Sequence, residues 1–181
     1  MQYTNIINIY PLRNCKSLEY LDLTETNVTN LNPLMKLDKL TCLNLNKTSY
    51  LNLFFLPISI KKLYLDDTRH IDFVSVGRLI NLEICSINWT RITDLTPLSR
   101  CKNLKEVYAN HSCIQTITPL AFCKNLEILN ICNTVINDVS PLYYNKKLKL
   151  LSIMHSHIRG RVNLKHIPDL KVKRYYIQDL F

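Results

Sequence analysis

Apolar positions return along this chain with a period close to 22. The frame apolar-x-x-apolar-x-apolar opens at Leu18/Leu21/Leu23. It recurs at Leu40/Leu43/Leu45, Ile60/Leu63/Leu65, Leu82/Cys85/Ile87, Leu104/Val107/Ala109, Leu126/Leu129/Ile131 and Leu148/Leu151/Ile153. A hydroxyl residue follows each frame: Thr26, Thr48, Thr68, Thr90, Ser112, Thr134 and Ser156, spaced 22, 20, 22, 22, 22 and 22. The last two apolar positions of a frame alternate with polar ones, so they share one face of a short strand. One coil cannot bury that face alone. Stacked coils bury it by building a parallel sheet with strands ~4.8 Å apart over a continuous apolar interior.

The rest of each coil returns the chain. Val28, Ile92, Ile114, Ile136 and Ile158 come two residues after the Thr/Ser position. Leu31, Phe73, Leu95, Ile117 and Val139 come five after it, and Leu34, Val76, Leu98, Leu120 and Leu142 eight after it. All are expected to point inward. Asn32-Pro33, Thr96-Pro97, Thr118-Pro119 and Ser140-Pro141 read as an N-cap side chain followed by proline at the first helical position. Few residues remain before the next strand, so a single 3₁₀ turn is expected. The Thr/Ser row should form a buried hydroxyl ladder serving the backbone where each strand bends, because inward polar groups must be paired. The position after each first frame residue reads Glu83, Lys105, Glu127, Lys149 in successive coils. In a parallel stack these opposite charges become neighbours.

The pattern L-x-x-L-x-L-x-x-T-x-I-x-D-L-x-P-L-x-x-C-K-N is best written at Leu82–Leu104 and Leu126–Leu148. It resembles the short leucine-rich repeat of bacterial internalins and of the phosphatase-regulatory type. The Thr in place of Asn, and the junctions Cys101–Leu104 and Cys123–Leu126, are also similar to repeats of trypanosomatids and of AT-rich large DNA viruses such as entomopoxviruses. The resemblance implies an α/β leucine-rich-repeat solenoid with a parallel concave β-sheet and short 3₁₀ or turn segments on the convex side. It carries no catalytic residue and no cofactor. It implies a surface that grips another protein, in a viral or parasite setting an adaptor or antagonist of a host protein.

At 181 residues the chain is read as one domain, 1–181. Residues 1–17 form an N-terminal half-repeat cap in which Thr4, Ile6, Ile9, Pro11, Leu12 and Cys15 match the second half of a coil. Residues 18–156 carry seven repeat strands, and 157–181 are a C-terminal cap, with a last strand expected across Leu170–Ile177. The second coil, Leu40 to Lys62, is two residues short and carries Phe54-Phe55-Leu56-Pro57-Ile58 where the turn should be, so a local distortion is expected there. Nothing in the sequence is long and apolar enough to span a membrane, and no signal pattern opens it. Seven cysteines without such a signal suggest a reducing, cytoplasmic compartment, the host cytoplasm if viral. Cys15, Cys101 and Cys123 fall in the inward phase of Leu37 and Leu79, where cysteine serves as a small hydrophobe.

Charge enters last. The net charge is +9. On the concave face, however, Asp22, Glu25, Asp66, Asp67 and Glu106 outnumber Lys47 and Lys62. The basic residues gather on the convex return, among them Arg78, Arg100, Lys102, Lys124, Lys146 and Lys147. A nucleic-acid or anionic-surface binder on that edge is the rival reading, set back by a stripe that shows few aromatics beyond Tyr143 and Tyr144. The later coils place Ile84, Trp89, Tyr108, His111, Ile128, Leu150 and Met154 on the concave face. An apolar cluster with one Trp and one Tyr suggests the contact patch for a protein partner. Ile84, Trp89, Tyr108, His111, Ile128 and Met154 are therefore the candidate partner-binding residues, on a monomer or one that self-associates end to end. No metal is expected: His155-x-His157, His111 and Cys132 lack paired ligand spacing. A Cys132/His155 dyad is the one conceivable catalytic pair, and enzymatic activity is not expected.

Overall fold

The computed structural model describes residues 4–158 and 164–174, without the side chain of Tyr50. Within them the strands are β1 (Tyr20–Asp22), β2 (Cys42–Asn44), β3 (Ser49–Leu51), β4 (Lys62–Tyr64), β5 (Arg69–Ile71), β6 (Ile84–Ser86), β7 (Glu106–Tyr108), β8 (Ile128–Asn130), β9 (Leu150–Ser152) and β10 (Lys171–Lys173). Eight of them form one open parallel sheet in the order β1-β2-β4-β6-β7-β8-β9-β10. The register keeps the frame in phase: Leu21, Leu43, Leu63, Cys85, Val107, Leu129 and Leu151 stand side by side. Period 2 sends these residues inward, and all are buried. The expected last strand is present at Lys171–Lys173, without Leu170 and Arg174; residues 175–177 of its expected span fall outside the described ones.

The chain returns through short 3₁₀ turns at Tyr10–Asn14, Asn32–Leu34, Leu53–Phe55, Phe73–Arg78, Thr96–Arg100, Thr118–Phe122 and Ser140–Tyr144. Neighbouring turns pack closely against one another, except between Asn32–Leu34 and Leu53–Phe55 at the short coil. Their caps differ from expectation. Asn32, Thr96, Thr118 and Ser140 are the first residues of their turns, and proline is second. The capping oxygen comes from two residues earlier. Asn8, Asn30, Asn52, Asp94 and Asp138 Oδ1 accept from the backbone N–H of Tyr10, Asn32, Phe54, Thr96 and Ser140, and Thr116 Oγ1 serves Thr118. An Asx or Thr side chain reaches the N–H two positions on without any helical residue in between.

The hydroxyl row is buried from Thr26 to Thr134. Its bonds run mostly within a coil rather than up the stack. Thr26, Thr48, Thr90, Ser112 and Thr134 donate to the carbonyls of Leu23, Leu45, Ile87, Ala109 and Ile131 at 2.6–2.8 Å. Thr68 and Ser156 reach back one coil, to Leu45 and Ile131. Each hydroxyl satisfies a carbonyl that the bend takes out of the sheet ladder.

Cys101 and Cys123 are buried and donate, weakly, to the carbonyls of Val76 and Leu98 in the preceding turn. Asn145 takes the same post with a stronger donor, its Nδ2 bonding the Leu120 and Cys123 carbonyls at 3.0 and 2.8 Å. The inward phase thus accepts a donor as well as a hydrophobe, since Leu37 and Leu79 fill it in other coils. Burial pushes the thiols of Cys101 and Cys123 up to about 12 and about 11, so both stay protonated. Cys15, in contrast, is exposed and not part of the core as its phase suggested. It lies in the first coil of the stack, and among the described residues no earlier coil covers it.

The short second coil loses its two residues between Leu56 and Pro57, and buried Pro57 takes the place that Leu37 and Leu79 hold in neighbouring coils. The distortion shows as a second, two-stranded sheet, β3 with β5, on the flank just past the hydroxyl row.

Candidate functional site

Just before each Thr/Ser the chain turns through the left-handed region. Glu25, Lys47, Asp67, Trp89, His111, Asn133 and His155 all have φ between 53 and 59°. Glycine and asparagine tolerate that conformation, whereas other residues bear roughly 1–2 kcal/mol for it. The stack supports the bend. Lys47, Asp67, Trp89, His111 and Asn133 donate their N–H groups at 2.7–3.0 Å to carbonyls of the next coil. A tryptophan is an uncommon occupant of such a turn.

The turn throws Trp89 outward, leaving it 62% exposed. It lies flat against His111 of the next coil, with ring centroids 3.6 Å apart and planes 8° from parallel. The two rings form one rigid aromatic plate at the sheet's edge. Trp89 also borders two hollows. One, of about 760 Å³, lies on the flank between the Arg69–Val74 and Arg91–Pro97 segments, where β5 has no strand partner in the next coil. The other, of about 470 Å³, is on the sheet side and is lined by Thr24, Asn46, Lys47, Asp66 and Asp67.

Beside the plate runs a row of side-chain amides and carboxylates that was not foreseen. Asn46 Oδ1 accepts from Asp66 N–H, Asp66 from Asn88, Asn88 from Asn110, and Asn110 from Cys132, at 2.7–3.1 Å. Ser86 Oγ and Asn110 Nδ2 tie into it at 2.6 and 2.9 Å. The ladder that the hydroxyls were expected to make is made here. It fixes the backbone on which Trp89 and His111 stand. The signal was in the sequence: Asn46, Asp66, Asn88 and Asn110 repeat one position before the turn residue.

The other candidates sit on the same face but do not merge into one exposed patch. Ile84, Tyr108, Ile128, Leu150 and Met154 are half-buried. Glu106 stands between Ile84 and Ile128 in the strand register, so only Ile128 and Leu150 adjoin. The cross-strand neighbours shield one another's flanks and leave the outward tips in reach of solvent. Tyr108 donates its hydroxyl to Glu106 Oε2 at 2.7 Å. Burial, then that bond to a carboxylate, hold its phenol up at about 12. On the outer edge of the strands, Lys105 pairs with Glu83 at 2.6 Å and Lys149 with Glu127 at 2.5 Å, as the alternating column predicted.

Cys132 is buried, with its thiol pushed up by burial, and His155 is exposed. His157 Nδ1 lies 3.3 Å from the Thr134 carbonyl. Among the described residues no three metal-ligating side chains converge, and no helix is long and apolar enough to cross a membrane.

Residues 102–144 match a family model for leucine rich repeats in two copies. No curated protein matches the sequence. The fold is similar to internalin C2 of Listeria monocytogenes, with a TM-score of 0.86 and 27% identity over 96% of this chain and 78% of that one. It is similar to an internalin F of the same organism at 0.81 and 24%, over 96% and 52%. A plant peptide hormone receptor solved in complex with RGF2 matches at 0.73 and 17%, over 93% and 30%. The architecture is a leucine-rich-repeat solenoid, a fold commonly used as a scaffold for binding proteins. The chain spans about half of the internalin F chain and less than a third of the receptor.

Proposed function

We propose that this solenoid is a non-enzymatic scaffold that recognises a protein partner through its concave sheet face, with the Trp89–His111 plate as the anchor. The observation that carries the reading is Trp89: a large ring, mostly exposed, held in a backbone conformation that disfavours it and locked against His111. Strain kept at an exposed aromatic residue is the kind of feature that binding sites retain. Ile84, Tyr108, Ile128 and Met154 supply the surrounding contacts. Because the amide row fixes the face in advance, docking loses little conformational entropy. Protonated buried thiols suit a reducing compartment, which makes the cytoplasm the proposed location and an adaptor or antagonist of a host protein the proposed role in a virus or parasite.

The test compares wild type, Trp89→Ala and a Lys146→Glu/Lys147→Glu double variant as immobilised baits, with circular dichroism to confirm folding. Trp89→Ala should weaken partner capture by about 2 kcal/mol or more, roughly thirtyfold in Kd. The lysine reversals should leave it nearly unchanged. Capture that survives Trp89→Ala but is lost with the reversals moves the site off the sheet face.

A further inference from the structure

We propose that the outer ridge formed by the 3₁₀ turns is a second binding surface, for single-stranded nucleic acid. Counted along the sequence, this side shows many cations and only Tyr143 and Tyr144 as aromatic companions. The fold changes that count. Phe122 and Tyr144 end neighbouring turns that pack together, and Tyr10 and Phe54 stand in earlier turns, each of the four between 52 and 57% exposed. Each ring has a cation over it: Arg13 over Tyr10 at 3.8 Å, Arg78 over Phe54 at 4.3 Å, Lys102 over Phe122 at 5.3 Å and Lys124 over Tyr144 at 4.5 Å. The last two pairs are the same unit in consecutive coils, with a lysine just past one turn reaching the aromatic at the end of the next. A cation on one face holds an exposed ring in place, and more than half of each aromatic residue remains open.

Over the last two turns a planar ring and a cation repeat with the coil, as a planar base and a phosphate repeat along a single strand. Single-strand binders combine aromatic platforms with a cationic track, and stacking on them tolerates any base. Duplex DNA fits poorly, since its base faces are hidden and it resists bending over tens of base pairs. An anionic bilayer would meet an outward-curving ridge only along a line, whereas a flexible strand can follow it. The site is separate from the Trp89–His111 plate and does not depend on it.

The test uses the whole chain and fluorescence anisotropy with a labelled oligothymidylate of about 20 nucleotides, titrated between roughly 50 and 200 mM salt. Affinity should fall at least about tenfold over that range. Lys102→Gln/Lys124→Gln should flatten the log–log salt slope by about 0.7 per lysine. Phe122→Leu/Tyr144→Leu keeps charge and bulk; it should weaken binding about tenfold with the slope unchanged, and Trp89→Ala should change nothing. No saturable binding overturns the proposal. So does equal affinity for a duplex of the same length that ignores the Phe122 and Tyr144 substitutions, because charge alone then accounts for it. Vesicles with about 30% phosphatidylserine are the last arm. If they bind and release with the ring variants while the oligonucleotide does not, the ridge is a membrane surface and the proposal fails.

Discussion

At the scale of single residues, a small polar group placed at a bend does more than its size suggests. The Thr90 hydroxyl is buried and donates to the Ile87 carbonyl at 2.7 Å. Thr90→Val preserves the shape but leaves that acceptor without its donor and out of reach of water. The cost should be ~1–3 kcal/mol, read as a lower urea midpoint at an unchanged m-value. Stability equal to wild type would mean that the carbonyl finds another donor, and that the hydroxyl row is a packing feature only. The row was legible in the sequence because its spacing is strict and polar residues seldom recur inward without a partner. Its direction was not legible. Thr68 and Ser156 reach the coil before although the same left-handed turn precedes them as precedes the others, so phase does not set the direction, and no periodicity of polarity reports φ. For the same reason Trp89 could be identified as exposed from its phase, while its strained backbone and its stack on His111 could not.

At the scale of elements, the 3₁₀ turns separate two readings of the same residues. Proline after Thr or Ser suggested that the hydroxyl caps the turn. The structure gives the cap to the residue two before it, with Asp94 Oδ1 accepting from Thr96 N–H at 2.8 Å and from Thr96 Oγ1 at 2.6 Å. Asp94→Ala should therefore destabilise by ~0.5–2 kcal/mol in a urea melt, the usual cost of a lost cap. Thr96→Ala should cost clearly less, since it removes one exposed side-chain bond and leaves the N–H served. If Thr96→Ala proves the more damaging of the two, the capping assignment is wrong. The strands raised no such ambiguity. Frames such as Leu104/Val107/Ala109 allow one inward face, and parallel stacking at a fixed period then fixes the register. The amide row from Asn46 to Asn110 is legible in the sequence as a repeat but not as a ladder, because outward-phased amides and carboxylates match solvent-facing polar residues, although here they serve the backbone of the next coil.

At the scale of the whole molecule, stability is a sum over neighbouring coils, so one defective coil weakens its surroundings without unfolding the rest. The second coil is that defect. Its turn spans only Leu53–Phe55, and two residues are missing between Leu56 and Pro57, so buried Pro57 stands where Leu37 and Leu79 stand on either side. The backbone bonds that close it are longer, Leu56 N–H to Leu53 at 3.1 Å and Ile60 N–H to Pro57 at 3.3 Å. In the fifth coil Cys123 and Leu126 close the equivalent stretch at 2.9 and 3.0 Å. On the flank, β5 pairs back with β3 alone, and the large hollow opens between it and the next coil. The short coil is thus the point at which the stack should open first. Native-state hydrogen exchange should show the Leu56 and Ile60 amides opening through a local route, about 1–2 kcal/mol less protected than those of Cys123 and Leu126. Both pairs sit in buried turns of the same architecture, so burial alone predicts no difference between them. Equal protection at the four amides would make the solenoid one cooperative unit and remove the short coil as a point of weakness.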